Sequence, residues 1–280
     1  MTGGDGRDRI RHPGPPSPVR IDAHPAIVRR TTLHLSAGSE LLDALGAALD
    51  AEGCDGAAVV LSGLKLARFD YVGPDRSRDG KHAAWYSQTH SDADTGLAVA
   101  TATLGRKDGA WFFHCHALWG IGRDAPMAGH LLPGTVMLAE DADVDAWLLT
   151  GARMEVSPDP ETNFAFFQPR TVGAGGPARL VRIAAHEDLT EAIEQVCADA
   201  GIADATLIGL GSFIGAGFED AAPMHSPISE VVLLGGSCVT GGRARIEALC
   251  VDPEGGIFRG RLRPGFAPIC VTFELLIAPE

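Results

Sequence analysis

Two stretches of this chain repeat each other. Sliding the sequence by 148 positions pairs Ser39-Glu-Leu-Leu-Asp-Ala-Leu45 with Glu187-Asp-Leu-Thr-Glu-Ala-Ile193, and then Gly53, Ala57 and Gly63 with Gly201, Ala205 and Gly211. A second block matches at an offset of 131: Gly105 with Gly236, Ala117-Leu118 with Ala248-Leu249, Gly129 with Gly260, Leu131 with Leu262, and Pro133-Gly134 with Pro264-Gly265. A repeat constrains the fold more than any motif, because one unit must fold and pack twice. The 17-residue difference between the offsets falls between Gly63 and Val99, in a Gly/Asp/Arg/Ser-rich stretch around Pro74 to Lys81, and reads as a loop insertion in the first copy.

Each copy has the same order of elements. A short strand (Thr31 to Leu35; Leu180 to Ala184) precedes a helix. Its apolar residues recur at helical spacing: Leu41, Leu42, Leu45 and Leu49 in the first copy, Leu189, Ile193, Val196 and Cys197 in the second. Ser39 or Asp188 can serve near the N-cap. A strand follows (Ala57 to Ser62; Thr206 to Leu210), and after Gly63 or Gly211 only strand-like runs remain. One early helix followed by strands predicts an α+β fold, each copy a mainly antiparallel sheet with one principal helix packed on it.

The expected layout is a flexible tail over 1–28, rich in Gly, Pro and Arg, a first domain over 29–156, a linker over 157–176 and a second domain over 177–280. A chain of 280 residues suits two domains of roughly 100 to 200 residues. Its 45% hydrophobic and 21% charged residues fit a soluble, folded protein. No apolar run reaches the roughly 18 to 20 residues of a membrane span, and the start lacks a secretory h-region, so a cytoplasmic protein is expected. The six cysteines are scattered without a C-x-x-C pair, which predicts reduced and mostly buried thiols. A formal net charge of −13 opposes approach to a phosphate backbone and disfavours DNA as a partner.

The motifs Gly209-Leu-Gly-Ser-Phe213, Glu230-Val-Val-Leu-Leu-Gly-Gly236, and His114-Cys-His-Ala-Leu118 followed by Gly129-His130-Leu131 resemble those of the plant and prokaryote conserved (PPC, or DUF296) domain, once per copy. The resemblance implies two tandem compact α+β domains, a homotrimer, and a metal site at the histidines of the H-x-H and G-H-L elements. It also implies an association with DNA, since plant members of that family are nuclear and carry an AT-hook. In this chain Arg259-Gly-Arg-Leu-Arg-Pro264 looks like an AT-hook core, yet it aligns with Ala128-Gly-His-Leu-Leu-Pro133 and reads as part of a strand.

Residues two apart on a strand share a face, so His114 and His116 project together while Cys115 points away. A turn over residues 120–126 returns the chain as a hairpin and brings His130 alongside. Three imidazoles suit a divalent metal, zinc being the ion expected, with one position left for water or substrate. The plain alternative is three sheet-face histidines that hydrogen-bond or meet solvent. In the second copy the same positions are Arg245, Glu247 and Arg261, a degenerate site unable to hold a metal, so one ion per chain is expected. His90 and His82 of the insertion are the nearest further imidazoles, and surface roles suit them better.

Catalytic residues are not assigned by these patterns. No Asp or Glu lies at fixed spacing to the triad, and Asp124 or Glu140 would be guesses. The position matching Glu230 in the first copy is Val99, which leaves the metal-bearing copy without that carboxylate. Three functions stay open: a metal-supported regulatory or DNA-associated protein, a metalloenzyme whose three-histidine site acts on a small molecule, and a small-ligand sensor anchored by the metal.

Overall fold

The computed structural model describes residues 7–280. The first copy contains β1 (Ile21–Leu35), α1 (Leu41–Glu52), β2 (Gly56–Val60), β3 (Lys65–Val72), β4 (Pro74–Asp75), β5 (Trp85–Tyr86), β6 (His90–Lys107), β7 (Ala110–Trp119), β8 (Met127–Leu131), β9 (Met137–Leu138) and β10 (Ala142–Thr150). The hairpin β11 (Ala152–Pro158) and β12 (Ala165–Thr171) follows. The second copy contains β13 (Ala178–Ala184), α2 (Leu189–Ala200), β14 (Ala205–Phe213), β15 (Glu230–Leu233), β16 (Cys238–Thr240), β17 (Arg243–Arg245), β18 (Glu247–Val251), β19 (Ile257–Arg261) and β20 (Ile269–Pro279).

Pairing order repeats with the sequence. In the first copy it runs β1–β10–β2–β6–β7–β8, in the second β13–β20–β14–β15–β18–β19, every neighbour antiparallel. The fold is therefore α+β, as expected, and the helices coincide at the offset of 148, each twelve residues long. Each is stopped by a glycine in the left-handed region, Gly53 at φ 63° and Gly201 at φ 66°, where a Cβ would be strained. The caps at the other end differ. Glu40, not Ser39, accepts from Asp43 N–H at 3.0 Å, while the buried Asp188 accepts from Thr190 and Glu191 N–H and also from Gly265 and Ala267 N–H.

Two cores result. Leu41, Leu45 and Leu49 of α1 pack with Phe113, Cys115 and Trp119 of β7; Leu189, Ile193 and Cys197 of α2 pack with Ala248, Cys250 and Phe273. All six cysteines are free and five are buried, as the sequence led us to expect. A third, smaller cluster joins the copies through Ala58, Leu149 and Met154 against Ile208 and Leu276.

Three segments differ from the sequence reading. Strand β1 begins at Ile21, inside the expected tail, and its first six residues pair with β13 before the rest pairs with β10. One strand thus stitches both copies together through backbone hydrogen bonds, which side-chain patterning does not register. Residues 1–6 of that expected tail lie outside the described residues; further along, Ile10 is buried beside Ile214, Ile228 and Cys270. The expected linker includes β12, paired with β11 along its length. It is anchored by Asp159, which accepts from Thr162 N–H and Oγ at 2.9 and 2.7 Å and faces Arg182 at 3.3 Å. The insertion, finally, is more than a loop: β3 pairs with β6, β8 and β9, and the β4–β5 hairpin carries Trp85 and Tyr86.

Candidate metal centre at the seam between the copies

Strands β7 and β8 place the three histidines. His116 pairs directly across from His130, and His114 sits two residues back on the same face of β7. Gly129 allows β8 this close to β3, because a Cβ there would stand 2.6 Å from Val72 O. The candidate ligand nitrogens of His114, His116 and His130 lie within 4.8 Å of one another, so the triad is able to hold a metal. His82 and His90 stand elsewhere: His82 bonds Asp79 at 2.6 Å, and His90 stacks on Tyr71.

The ring orientations are set by the other copy. His114 Nδ1 meets Glu274 Oε1 at 2.8 Å, and His116 Nδ1 donates to Val231 O at 2.9 Å. A carbonyl oxygen only accepts, so His116 carries its hydrogen on Nδ1 and leaves Nε2 as a bare acceptor. A carboxylate on Nδ1 of His114 favours the same tautomer. The two Nε2 atoms then face each other at 3.0 Å. Burial first, and the neighbouring imidazoles second, push the pKa of His116 well below its ordinary value; burial first and His114 second do the same for His130. Three imidazole nitrogens that converge in this way form a donor set that fits a divalent cation.

A site confined to the first copy lacks an acid, but the cavity of about 380 Å³ in front of the triad is lined by both copies. Glu230 and Glu274 enter it from the second copy, on β15 and β20. Both are buried, with Glu230 6% exposed and Glu274 1% exposed. Burial raises the Glu230 carboxyl well above the usual carboxylate range. Asp124 and Glu140 do not line the cavity. Strand register also revises the match of Glu230 to Val99: Val99 lies across from Leu118 and Val232 across from Leu249, so Val99 corresponds to Val232. The conclusion that the first copy has no acid at that place stands, since Leu97 and Ala98 precede Val99.

Aromatic residues close the cavity. Tyr86 of the insertion packs edge-on against His130 at 5.5 Å, and Trp85 lies 5.2 Å from Phe164. Burial chiefly, with Glu230 and Glu274 adding, raises the Tyr86 hydroxyl pKa. Phe112, Phe166 and Phe167 complete the apolar wall, two of them supplied by the segment expected to be a linker. The sequence did carry a signal for the acids: each sits inside an apolar strand run, Glu230-Val-Val-Leu-Leu and Phe273-Glu-Leu-Leu-Ile, where a lone carboxyl is expensive unless it has a task.

The degenerate positions are arranged differently. Arg261 bonds Glu247 at 3.2 Å and Glu219 at 3.5 Å, while Arg245 is exposed outside that pair. The first half of the Arg259 to Pro264 run, similar to an AT-hook, lies in β19, hydrogen-bonded to β18.

The chain is similar to several solved structures over about half of its length, and no curated protein matches it. These structures include a "Putative DNA-binding protein" from Ralstonia eutropha JMP134 (17% identity, 49% of this chain and 89% of that one, TM-score 0.40). Two others are a metal-containing protein from Archaeoglobus fulgidus (18%, 50% and 93%, TM-score 0.39) and a plant- and prokaryote-conserved (PPC) protein from Pyrococcus horikoshii (18%, 52% and 96%, TM-score 0.38). Among the described residues no helix is long and apolar enough to cross a membrane. Residues 170–279, the second copy almost in full, match the family model of the Plants and Prokaryotes Conserved (PCC) domain.

Proposed function

We propose that this chain is a metal protein that binds a small molecule at the seam, with one divalent ion, zinc by donor chemistry, held by His114, His116 and His130. The observation that carries the reading is the pair of Nε2 atoms 3.0 Å apart, with both Nδ1 atoms committed to acceptors of the second copy. With both rings in the Nδ1–H tautomer the two Nε2 lone pairs converge, and a cation between them would be held by both. Three protein ligands leave a coordination position open toward the cavity. A bound divalent ion supplies Lewis-acid chemistry there. Around it, Glu274 orients His114, Val231 orients His116, and the aromatic wall keeps water from the ligand.

A cavity of this size with few polar groups suits a small organic molecule. DNA association, which the resemblance implies, has less support: the net charge is −13 and the candidate hook is strand backbone. The three histidines and the acceptors that orient two of them come from one chain; the homotrimer is a separate expectation that light scattering reads. Elemental analysis of purified protein tests the metal: about one equivalent per chain in the wild type and none in His114→Ala is the expected outcome. Two equivalents per chain, or metal kept by the variant, would defeat it.

A further inference from the structure

The seam cavity has more buried acceptors than the chain can satisfy. Glu230 Oε1 and Oε2, Glu274 Oε2 and Thr272 Oγ1 are all buried and have no hydrogen-bond partner. Native proteins leave few such atoms, and four on the wall of one cavity call for something that donates to them. The protein's own cations do not answer. Lys107, the one lysine or arginine on the lining, is exposed with its Nζ 5.0 Å from the centre of the Phe112 ring.

The opposite wall is aromatic. Trp85 and Tyr86 are 42% and 38% exposed, unusual for such large rings, and both face the cavity beside Phe164. Ring faces attract cations and apolar bodies alike. Glu230 and Glu274 come from the second copy while Trp85 and Tyr86 come from the insertion of the first. The acceptor set and the aromatic set therefore exist together only at the seam.

We propose that the molecule bound in this cavity is an organic amine with an apolar or aromatic body, its ammonium group donating to Glu230 and Glu274 and its body lying against Trp85, Tyr86 and Phe164. This inference rests on the seam cavity being a small-molecule site. An ammonium has three N–H donors and no acceptor, which complements a wall of carboxyl oxygens. A carboxylate ligand would instead be buried beside two carboxyl groups, a like-charge arrangement that burial makes costly. A metal held by His114, His116 and His130 would leave these oxygens free, since Glu274 reaches His114 through Oε1 alone.

The test uses two probes of like size and opposite charge, phenethylamine and 3-phenylpropionate, titrated calorimetrically into full-length protein whose metal content has been measured. Saturable binding of the amine, at least about tenfold tighter than the acid, is expected from a charge-assisted pair in a desolvated site. Glu230→Gln should weaken the amine by about tenfold or more without changing metal content, and Trp85→Ala should weaken it several-fold. Equal or tighter binding of 3-phenylpropionate, or no saturable binding of either probe, overturns the proposal. Both probes are read on the wild type, so a Glu230 variant that fails to fold leaves the test intact. Protein lacking metal that still prefers the amine would sink the metal reading and keep this one; protein holding metal that prefers the acid would do the reverse.

Discussion

The same strand-turn-strand appears twice in this molecule and is used in two ways. In the first copy it presents His114, His116 and His130 to the seam, where the partner copy supplies an acceptor to two of the rings. In the second it presents Arg245, Glu247 and Arg261, of which Arg261 and Glu247 pair with each other and Arg245 is exposed. What separates a metal-competent strip from a salt-bridged one is the surroundings as much as the three side chains. His116 is buried and His114 and His130 are half-buried, two of the three rings being fixed by the other copy's acceptors; Arg245 and Arg261 remain near water, where an ion pair is worth little.

The largest effect that would sharpen this contrast comes from His116→Ala. Its ring is buried and central to the triad, so metal content should fall to background, whereas Arg261→Ala should leave it unchanged. Metal retained by the first or lost from the second, read by elemental analysis, breaks the assignment of the ion to the first copy.

Below the strips the two copies should behave alike. Leu45 and Ile193 occupy the same helical position and are both fully buried. Truncation of either to alanine should cost about 2 to 5 kcal/mol, measured by the urea midpoint. A large loss in one and none in the other would show that only one core carries the stability.

That equivalence was legible from local pattern: helix positions, stop glycines and the H-x-H strand all follow from spacing in one stretch of sequence. The stitching by β1 was not, because its first six residues, held by backbone bonds to β13, include Pro25, which argues against a strand when read from sequence. Nor was the composite site. Glu230 and Glu274 line the triad's cavity from positions a hundred residues or more away, and the two-residue shift between Val99 and Val232 moved the apparent match of Glu230. Seam geometry is tertiary, and a repeat read as two separate units conceals what one unit lends the other.

Glu274→Gln probes that loan. The amide keeps the shape but loses the charge that favours the Nδ1–H tautomer of His114, and metal affinity should drop about 10- to 100-fold in a competition titration with a chelator. An unchanged affinity would mean that the second copy does not tune the site.

A smaller asymmetry lies in the helix caps. Asp188 is 2% exposed and accepts from four backbone N–H groups, two of which belong to the loop after β19, whereas Glu40 accepts from one. Asp188→Ala should cost about 2 kcal/mol or more, because buried donors are left unpaired, and Glu40→Ala about 0.5 kcal/mol. Equal losses in denaturant titration would remove this difference between the copies.

The smallest expected effect makes the sharpest comparison. Replacing Arg245→His, Glu247→His and Arg261→His together writes the first copy's ligands onto the second copy's strands. If three imidazoles at this spacing were sufficient, the variant would bind a second metal ion. The surroundings argue that it will not. By strand register the first copy's counterpart of Glu274 is Asp143, because Val144 faces Leu33 as Leu275 faces Val181. Asp143 is 69% exposed on its side chain and already holds His34 at 2.9 Å. No carboxyl stands where Glu230 would be needed. The grafted rings would be solvated, free to rotate and without acceptors to fix their tautomers, so metal content should stay near one equivalent per chain. A second tightly held equivalent would show that the strip alone makes the site and that the seam is incidental.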